Sequence, residues 1–399
     1  MTSLPTFEEA QQRVLELARP LPAETVPIAE AAGRVPAEDV YARVDLPPFA
    51  SSAMDGFAVR AADLPGTLRI VGESAAGRPF DVQLEPGGAV SISTGAVVPE
   101  GADTVVPVEN VSKQDNKVEI AQPVELGAHV RPRGGDVAVG EMVVPAGVRL
   151  APAGVAAVAA SGIAELRCGR RPRAVLLATG SELVRPGEAL RPGQIYETNG
   201  LMLSSALSAT RAEVVAELPV ADEEEALRTA LERGLAADVL VTSGGVSVGE
   251  HDLVRAAERE LGVEEVFWRV SIKPGKPVSF GVRGAALVFG LPGNPVSALV
   301  GCELFVKPAL RALQGLADPL PRFEPGQLAV ALRRNEERDE FVRARSRVDG
   351  DALALEPIRG QESHMIVRSA AADALVHVPR GNGELAAGST VRWLRLGCP

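Results

Sequence analysis

Between residues 172 and 300 the chain alternates short, continuously apolar runs with segments of helical period. AVLLA (174–178), EVVAE (213–217) and DVLVTS (238–243) read as buried strands, and segments 199–209, 222–233 and 252–260 suit helices. VFWRV, PVSFG and AALVFG follow, and another helix begins near Pro295. Unbroken apolar runs belong to strands covered on both faces, and helices between them act as crossovers. The pattern predicts a doubly wound, mostly parallel α/β sheet. Ligands of such sheets bind beyond the carboxyl ends of the strands.

The flanks have a different texture. Residues 6–18 read as an amphipathic helix: Thr6 and Glu9 have capping-box spacing, and Phe7, Ala10, Val14, Leu17 and Ala18 share one face. From about 44 to 145, runs such as GGAVSIS, DTVVPVE and KVEIAQPV alternate with Gly/Pro turns, an all-β lobe. LAPAGVAAVAASGIAE (150–165) returns to helix-like sequence. After 318 come QLAVALRR, EFVRARSRV, ALALEPI, ALVHVPRG and STVRWLRL, which suggest a compact C-terminal β-barrel. The fold class expected is multidomain α/β plus β. A discontinuous helical lobe (1–43 with 146–170) carries an inserted β lobe (44–145), followed by the α/β domain (171–317) and the barrel (318–399).

Composition narrows the partners. A net charge of −11 repels a polyanion such as nucleic acid, so an anionic ligand needs a locally basic site. Only five lysines occur in the chain, which makes the close pair Lys273 and Lys276 conspicuous. Cys168, Cys302 and Cys398 are far apart and form no CxxC or Cys/His cluster, so neither zinc nor a disulfide framework is signalled. The N-terminus has no signal-peptide pattern, and no apolar run approaches the ~18 residues of a membrane span. A reducing cytoplasm fits.

Four loops leave predicted strand ends. They are Thr179-Gly180-Ser181-Glu182; the Gly-rich run from Ser243, Gly244 and Gly245 through Ser247 to Asp252; Lys273-Pro274-Gly275-Lys276-Pro277; and Gly290-Leu291-Pro292-Gly293-Asn294-Pro295. Glycines let backbone N–H groups approach a phosphate, the lysines add positive charge, and Asn294-Pro295 has the form of an N-cap followed by N1. None matches a P-loop or GxGxxG. Each also has a local structural reading. Asp222 and Asp252 are placed to cap helices, Glu182 to begin one, and the lysines to be solvated loop charges. Four such loops on one sheet edge favour a phosphate-containing ligand. In the β lobe, PFASSAMDGFA presents Asp55 among small residues, or is an Asp-Gly turn between two strands. Thr94-Gly95 and Arg131-Pro132-Arg133-Gly134-Gly135-Asp136 are further polar glycine turns.

Together SSAMDGFA, STGAVVPEGADTVVPVE, ATGSEL, GQIYETN, TSGGVSVGEHD, IKPGKP and GLPGNPVSA resemble the bacterial MoeA family, whose eukaryotic relative is the E domain of gephyrin. They stand in the family's order across residues 48 to 298, and the inferred layout resembles its four-domain arrangement. The resemblance implies conversion of adenylylated molybdopterin and molybdate to molybdenum cofactor and AMP, with a divalent ion, usually Mg²⁺, and a homodimer with a shared site. By motif position the functional acids fall on Asp55, Glu182, Asp222 and Asp252, with Asp136 and Thr94 in the β lobe. Glu182 and Asp252 are the metal candidates. Lys273, Lys276 and Arg131 are the basic contacts, and Pro292 and Pro295 shape the molybdate-side loop. Thr179, Gly180, Ser243, Gly244, Gly245, Ser247, Gly293 and Asn294 complete the ligand-binding set.

The chain departs from the family pattern at Ala50, Ser51, Gly135, Ser181, His251 and Arg269, which bears on peripheral metal or oxyanion contacts. Because the pterin dithiolene supplies sulfur to molybdenum, no cysteine cluster is required. Contacts with an adenylyltransferase or with recipient molybdoenzymes are also implied. Two other functions compete: the preceding adenylyltransferase, which shares TSGGVSVG, and a scaffold like the eukaryotic relative, for which the chain has no long linker or low-complexity tail.

Overall fold

The computed structural model describes residues 4–220, 224–244, 253–349 and 352–397. It divides into two compact units. The larger contains residues 1–24, 33–37 and 168–399, and the smaller contains 25–32 and 38–167.

In the larger unit a six-stranded sheet has the order Glu213–Val220, Arg173–Thr179, Val239–Ser243, Ala286–Leu291, Ser279–Arg283, Glu264–Trp268. The first four strands are mutually parallel, as the alternation predicts. The last two join antiparallel, so the sheet is mixed. The connections explain the change. Only Gly284 and Ala285 separate Arg283 from its partner Ala286, with Gly284 at φ +58°. Two residues close a hairpin, whereas a parallel crossover needs about a dozen.

Successive residues of the Arg173–Thr179 strand enter opposite cores. Ala174 and Leu176 pack with Leu203 and Leu207 of the helix Asn199–Ser208. Val175 and Leu177 pack with Leu227 and Leu231 of Glu224–Gly234 and with Val254 of Leu253–Glu260. Helices therefore cover both faces, which is why this strand is apolar without interruption.

The N-terminal helix Phe7–Leu17 has the expected capping box, with Thr6 and Glu9 bonding reciprocally. Its buried Phe7, Ala10 and Val14 join the core that holds Leu203 and Phe289 of the α/β sheet. Burying a phenylalanine of this kind contributes roughly 1.5–3 kcal/mol relative to exposure. Gln11 of the same helix donates to the Leu304 carbonyl at 2.9 Å, within the π-helical turn Cys302–Val306.

The C-terminal strands Asp339–Asp349, Ala352–Pro357, Glu324–Leu328, Thr390–Arg395 and Ala374–Val378 form a ring closed by pairing of the last with the first. This is the expected barrel, with five strands around a core that includes the fully buried Trp393. QLAVALRR, read as one strand, is split between Glu324–Leu328 and Leu332–Arg333.

His377 is buried in this barrel, with Nε2 2.9 Å from Asp339 Oδ1 and Nδ1 accepting from Arg392 at 3.0 Å. Burial holds its pKa below the ordinary imidazole value; the Asp339 hydrogen bond opposes the shift and the Arg392 charge reinforces it. The neutral form is thus the one the fold favours. Its stabilisation is complete above the unfolded-state value of about 6.5 and is lost as pH falls through the lower folded value. Thermal midpoints of the native chain should therefore drop more steeply below about pH 6.5 than those of His377→Gln. Parallel pH profiles would contradict this.

The smaller unit contains the β lobe: a mixed six-stranded sheet ordered Thr104–Pro107, Gly56–Val59, Gly88–Ile92, Gly66–Ser74, Lys117–Ile120, Ser112–Gln114. Its core includes Phe57, Val59, Ala89, Val106 and Val118. The Ala-rich segment forms the helix Pro152–Ala160 and then the strand Glu165–Gly169.

Candidate active site

From the Arg173–Thr179 strand the chain passes to Glu213–Val220 on one side and then to Val239–Ser243 on the other. That reversal opens a crevice at the carboxyl edge, the usual ligand position in such sheets. The register sets Ala178 beside Ser243 and Ser243 beside Leu291, so three successive loops emerge together. They border a cleft of about 800 Å³ that includes Thr179, Gly180, Glu182, Gly244, Gly293 and Pro295.

Gly244 is at φ +94° and donates its N–H to the Leu291 carbonyl at 3.1 Å. A Cβ there would lie 2.6 Å from the Thr179 carbonyl oxygen, so only glycine lets the two loops approach this closely. A Cβ on Gly293 would be 3.8 Å from Gly244 Cα, an ordinary contact distance, so the third loop runs near the second. Glu182 is exposed and folds back over Gly180, where a Cβ would meet its Oε2 at 2.7 Å.

After Glu182 a small parallel ribbon pairs Leu183–Val184 with Ile195–Tyr196. It leads to Glu197, which is 3% exposed and accepts the Gly200 N–H at 2.6 Å. Asn199 follows, and its Nδ2 donates to Ser243 Oγ at 2.9 Å and to the Gly293 carbonyl at 2.8 Å. Asn294 occupies the N-cap position of Pro295–Gly301, with Pro295 first in the helix, but its side chain makes no cap bond. The Val296 N–H donates to the Ser363 carbonyl at 3.0 Å, so that donor is not open to a ligand. The same bond holds the segment that contributes His364 and Ile366 to the cleft wall.

The structure thus gathers Thr179, Gly180, Glu182, Ser243, Gly244, Pro292, Gly293, Asn294 and Pro295 around one cleft. Lys273 and Lys276 are exposed and are not among the residues lining it, although Pro277 is. Lys273 Nζ is 3.0 Å from Glu340 Oε1, where Ile272–Lys273 pairs with the first barrel strand. Asp55, Thr94, Arg131 and Asp136 belong to the smaller unit. There Asp55 Oδ1 accepts the Thr94 N–H at 2.7 Å, Arg131 lies opposite Ser51, and the Asp136 N–H donates to Leu46. Asp222, Gly245, Ser247 and Asp252 lie outside the described residues. Among the described residues no group of three His, Cys, Asp or Glu side chains is placed to hold a metal.

Residue-level reading missed Glu197, Asn199 and His364. The first two stand in GQIYETN, a motif recognised whole without its members being assigned. His364 has no local signal, because it reaches the cleft only through the packing of a distant loop.

A doubly covered sheet with a glycine-lined crevice at its switch point defines an α/β protein of the class whose small ligands bind at the sheet edge. Family models describe residues 5–162 as the MoeA N-terminal region (domains I and II), 175–312 as a "Probable molybdopterin binding domain", and 325–396 as the MoeA C-terminal region (domain IV). The chain is 38% identical to molybdopterin molybdenumtransferase 2 of Mycobacterium tuberculosis, covering 97% of this chain and 98% of the relative. It is 35% identical to the molybdopterin molybdenumtransferase of Haemophilus influenzae, covering 97% of each. A crystal structure of the molybdopterin biosynthesis MoeA protein from Pyrococcus horikoshii superposes with a TM-score of 0.84 at 28% identity, over 98% of this chain and 100% of that one. The chain belongs to the MoeA family and is an enzyme of molybdenum-cofactor biosynthesis.

Proposed function

We propose that the chain is a molybdopterin molybdenumtransferase that inserts molybdenum from molybdate into adenylylated molybdopterin and releases AMP. The observation that carries this reading is the crevice itself. Three glycine-containing loops meet at the sheet's switch point and enclose a space of about 800 Å³, within the size range of small-molecule sites. The exposed backbone at Gly293 suits phosphate oxygens, and the apolar surface of Ile195, Tyr196 and Leu253 suits a flat ring.

Cleavage of a phosphoanhydride needs neutralisation of phosphate charge. A divalent ion, Mg²⁺ in this reading, would supply that neutralisation. The donor set fits an ion shared with substrate: Mg²⁺ keeps waters and substrate oxygens and needs only one or two carboxylates. Glu182 supplies one carboxylate beside the cleft, and Asp252 is assigned the other from its motif. Asp222 is assigned a catalytic role on the same basis. Lys273 and Lys276 are assigned to the anionic substrates; Lys273 must exchange Glu340 for substrate to act this way.

Asp55, Thr94, Arg131 and Asp136 are assigned to the same reaction through a homodimer in which the partner's β lobe completes the site. Their membership of a separate compact unit agrees with this. The reading keeps the four-part organisation 1–43 with 146–170, 44–145, 171–317 and 318–399, and a cytoplasmic location. Among the described residues no helix is long and apolar enough to cross a membrane. The test is AMP release from purified adenylylated molybdopterin. Release that requires molybdate supports the assignment; no release with molybdate and Mg²⁺ present overturns it.

A further inference from the structure

We propose that Asn199 is a positioning residue that locks two ligand-facing loops into a fixed relation; the catalytic consequence rests on the function proposed above. Asn199 is the first residue of the helix Asn199–Ser208, and only 9% of its surface is exposed. One amide nitrogen spans two strand ends, donating to Ser243 Oγ at 2.9 Å and to the Gly293 carbonyl at 2.8 Å. Ser243 ends its strand immediately before Gly244, and Gly293 lies two residues beyond Leu291, the end of the neighbouring strand.

The Gly293 carbonyl has no proton to give, so it fixes which way the amide faces: nitrogen toward the loops, oxygen away. Among the described residues that oxygen is buried without a hydrogen-bond partner. Such an arrangement opposes folding, because an unpaired buried acceptor keeps its desolvation cost. A leucine or methionine would fill the position without that penalty but would leave the Gly293 carbonyl and the Ser243 hydroxyl unbridged. The amide is therefore suited to holding the loops rather than to packing.

The backbone around the bridge depends on its registration. Gly244 has room only for a hydrogen beside the Thr179 carbonyl, and a Cβ on Gly293 would reach ordinary contact distance of Gly244. A small slide of either loop therefore alters the backbone surface offered to a phosphate. With the loops set before binding, less ordering is required when ligand arrives. Glu197 supports the same corner by accepting the Gly200 N–H, which fixes the first turn of the helix that carries Asn199.

Asn199→Asp and Asn199→Ala separate bridging from packing, since aspartate keeps the shape and lacks the amide donor. Hydrogen–deuterium exchange on the full chain without ligand should show both the 242–244 and 292–296 segments exchanging about fivefold faster or more in each variant. In the molybdate-dependent assay, half-saturation by adenylylated molybdopterin should rise about tenfold, equivalent to about 1.4 kcal/mol. Unchanged exchange in either segment overturns the bridge. Faster exchange in both with unchanged half-saturation and turnover overturns the positioning role and leaves Asn199 structural. If the native chain releases no AMP, the proposed function fails, while the exchange measurement still decides the bridge.

Discussion

Alanine at Glu182 should lower molybdate-dependent AMP release by at least about a hundredfold, equivalent to about 2.7 kcal/mol or more of lost transition-state stabilisation. The side chain is exposed at the cleft, at the carboxyl edge of a parallel strand, with its carboxylate bent over Gly180. Among the described residues no structural ion pair accounts for that posture, whereas a divalent ion bound with substrate would use the carboxylate. Removing an exposed carboxylate of this kind should change stability by no more than about 0.5 kcal/mol. The prediction thus pairs a large kinetic loss with a nearly constant thermal midpoint. Glu182→Gln should lose activity similarly, because it keeps the shape but not the charge. Native turnover in both variants would remove Glu182 from the active site. A collapse of the midpoint alongside the activity would make its role structural.

The second large effect is expected in the β lobe, at Gly56. This residue follows Asp55, and the sequence permits an Asp-Gly turn there. In the structure Gly56 instead begins the strand Gly56–Val59, between Gly88–Ile92 and Thr104–Pro107. A Cβ on Gly56 would stand 2.1 Å from the Val106 carbonyl oxygen and 2.9 Å from its carbon. These are backbone atoms inside a paired sheet, so no rotamer change relieves the clash. Overpacking a core costs about 1–3 kcal/mol, and forcing paired backbone apart belongs at the upper end or beyond. Gly56→Ala should therefore destabilise the smaller unit by about 3 kcal/mol or more. It should also displace Asp55, whose carboxylate is held by the Thr94 N–H. Denaturant unfolding followed by a probe within residues 38–167 measures the effect. A native midpoint in Gly56→Ala would show that the Val106 strand yields without penalty, and the proposed reason for glycine would be wrong.

The two predictions also distinguish what kinds of information a motif carries. Asp55-Gly56 joins a residue proposed for chemistry to one required by backbone proximity. ATGSEL does the same: Gly180 leaves room for the carboxylate of Glu182. The sequence motif displays these residues together, but the separate physical requirements become visible only when their neighbours are placed.

Much of the architecture follows from local order. Apolar residues at consecutive positions in 174–178 require covers on both sides, and the helices between the strands provide them. Thr6 and Glu9 supply their own helix cap from three residues apart, so that end needs no distant partner to be legible. The short apolar runs after residue 318 likewise indicate strands, and their closure into five confirms the barrel that they suggested. The family is also carried by the sequence, because its motifs occur in a consistent order over most of the chain.

Tertiary structure decided the relations for which a linear pattern has no distance. The two-residue connection at Gly284 and Ala285 turns the last part of the sheet antiparallel, although its apolar runs resemble those of the parallel part. Glu340, remote in sequence, pairs with Lys273, and Ser363 captures the N–H that the Asn294-Pro295 pattern offered to an anion. Asn199 joins Ser243 to Gly293 across separations of 44 and 94 residues. Hydrophobic period and capping act over a few residues and can be read from sequence. A buried amide's function depends on which donors and acceptors folding brings within about 3 Å, and that is set by the packing of the whole chain.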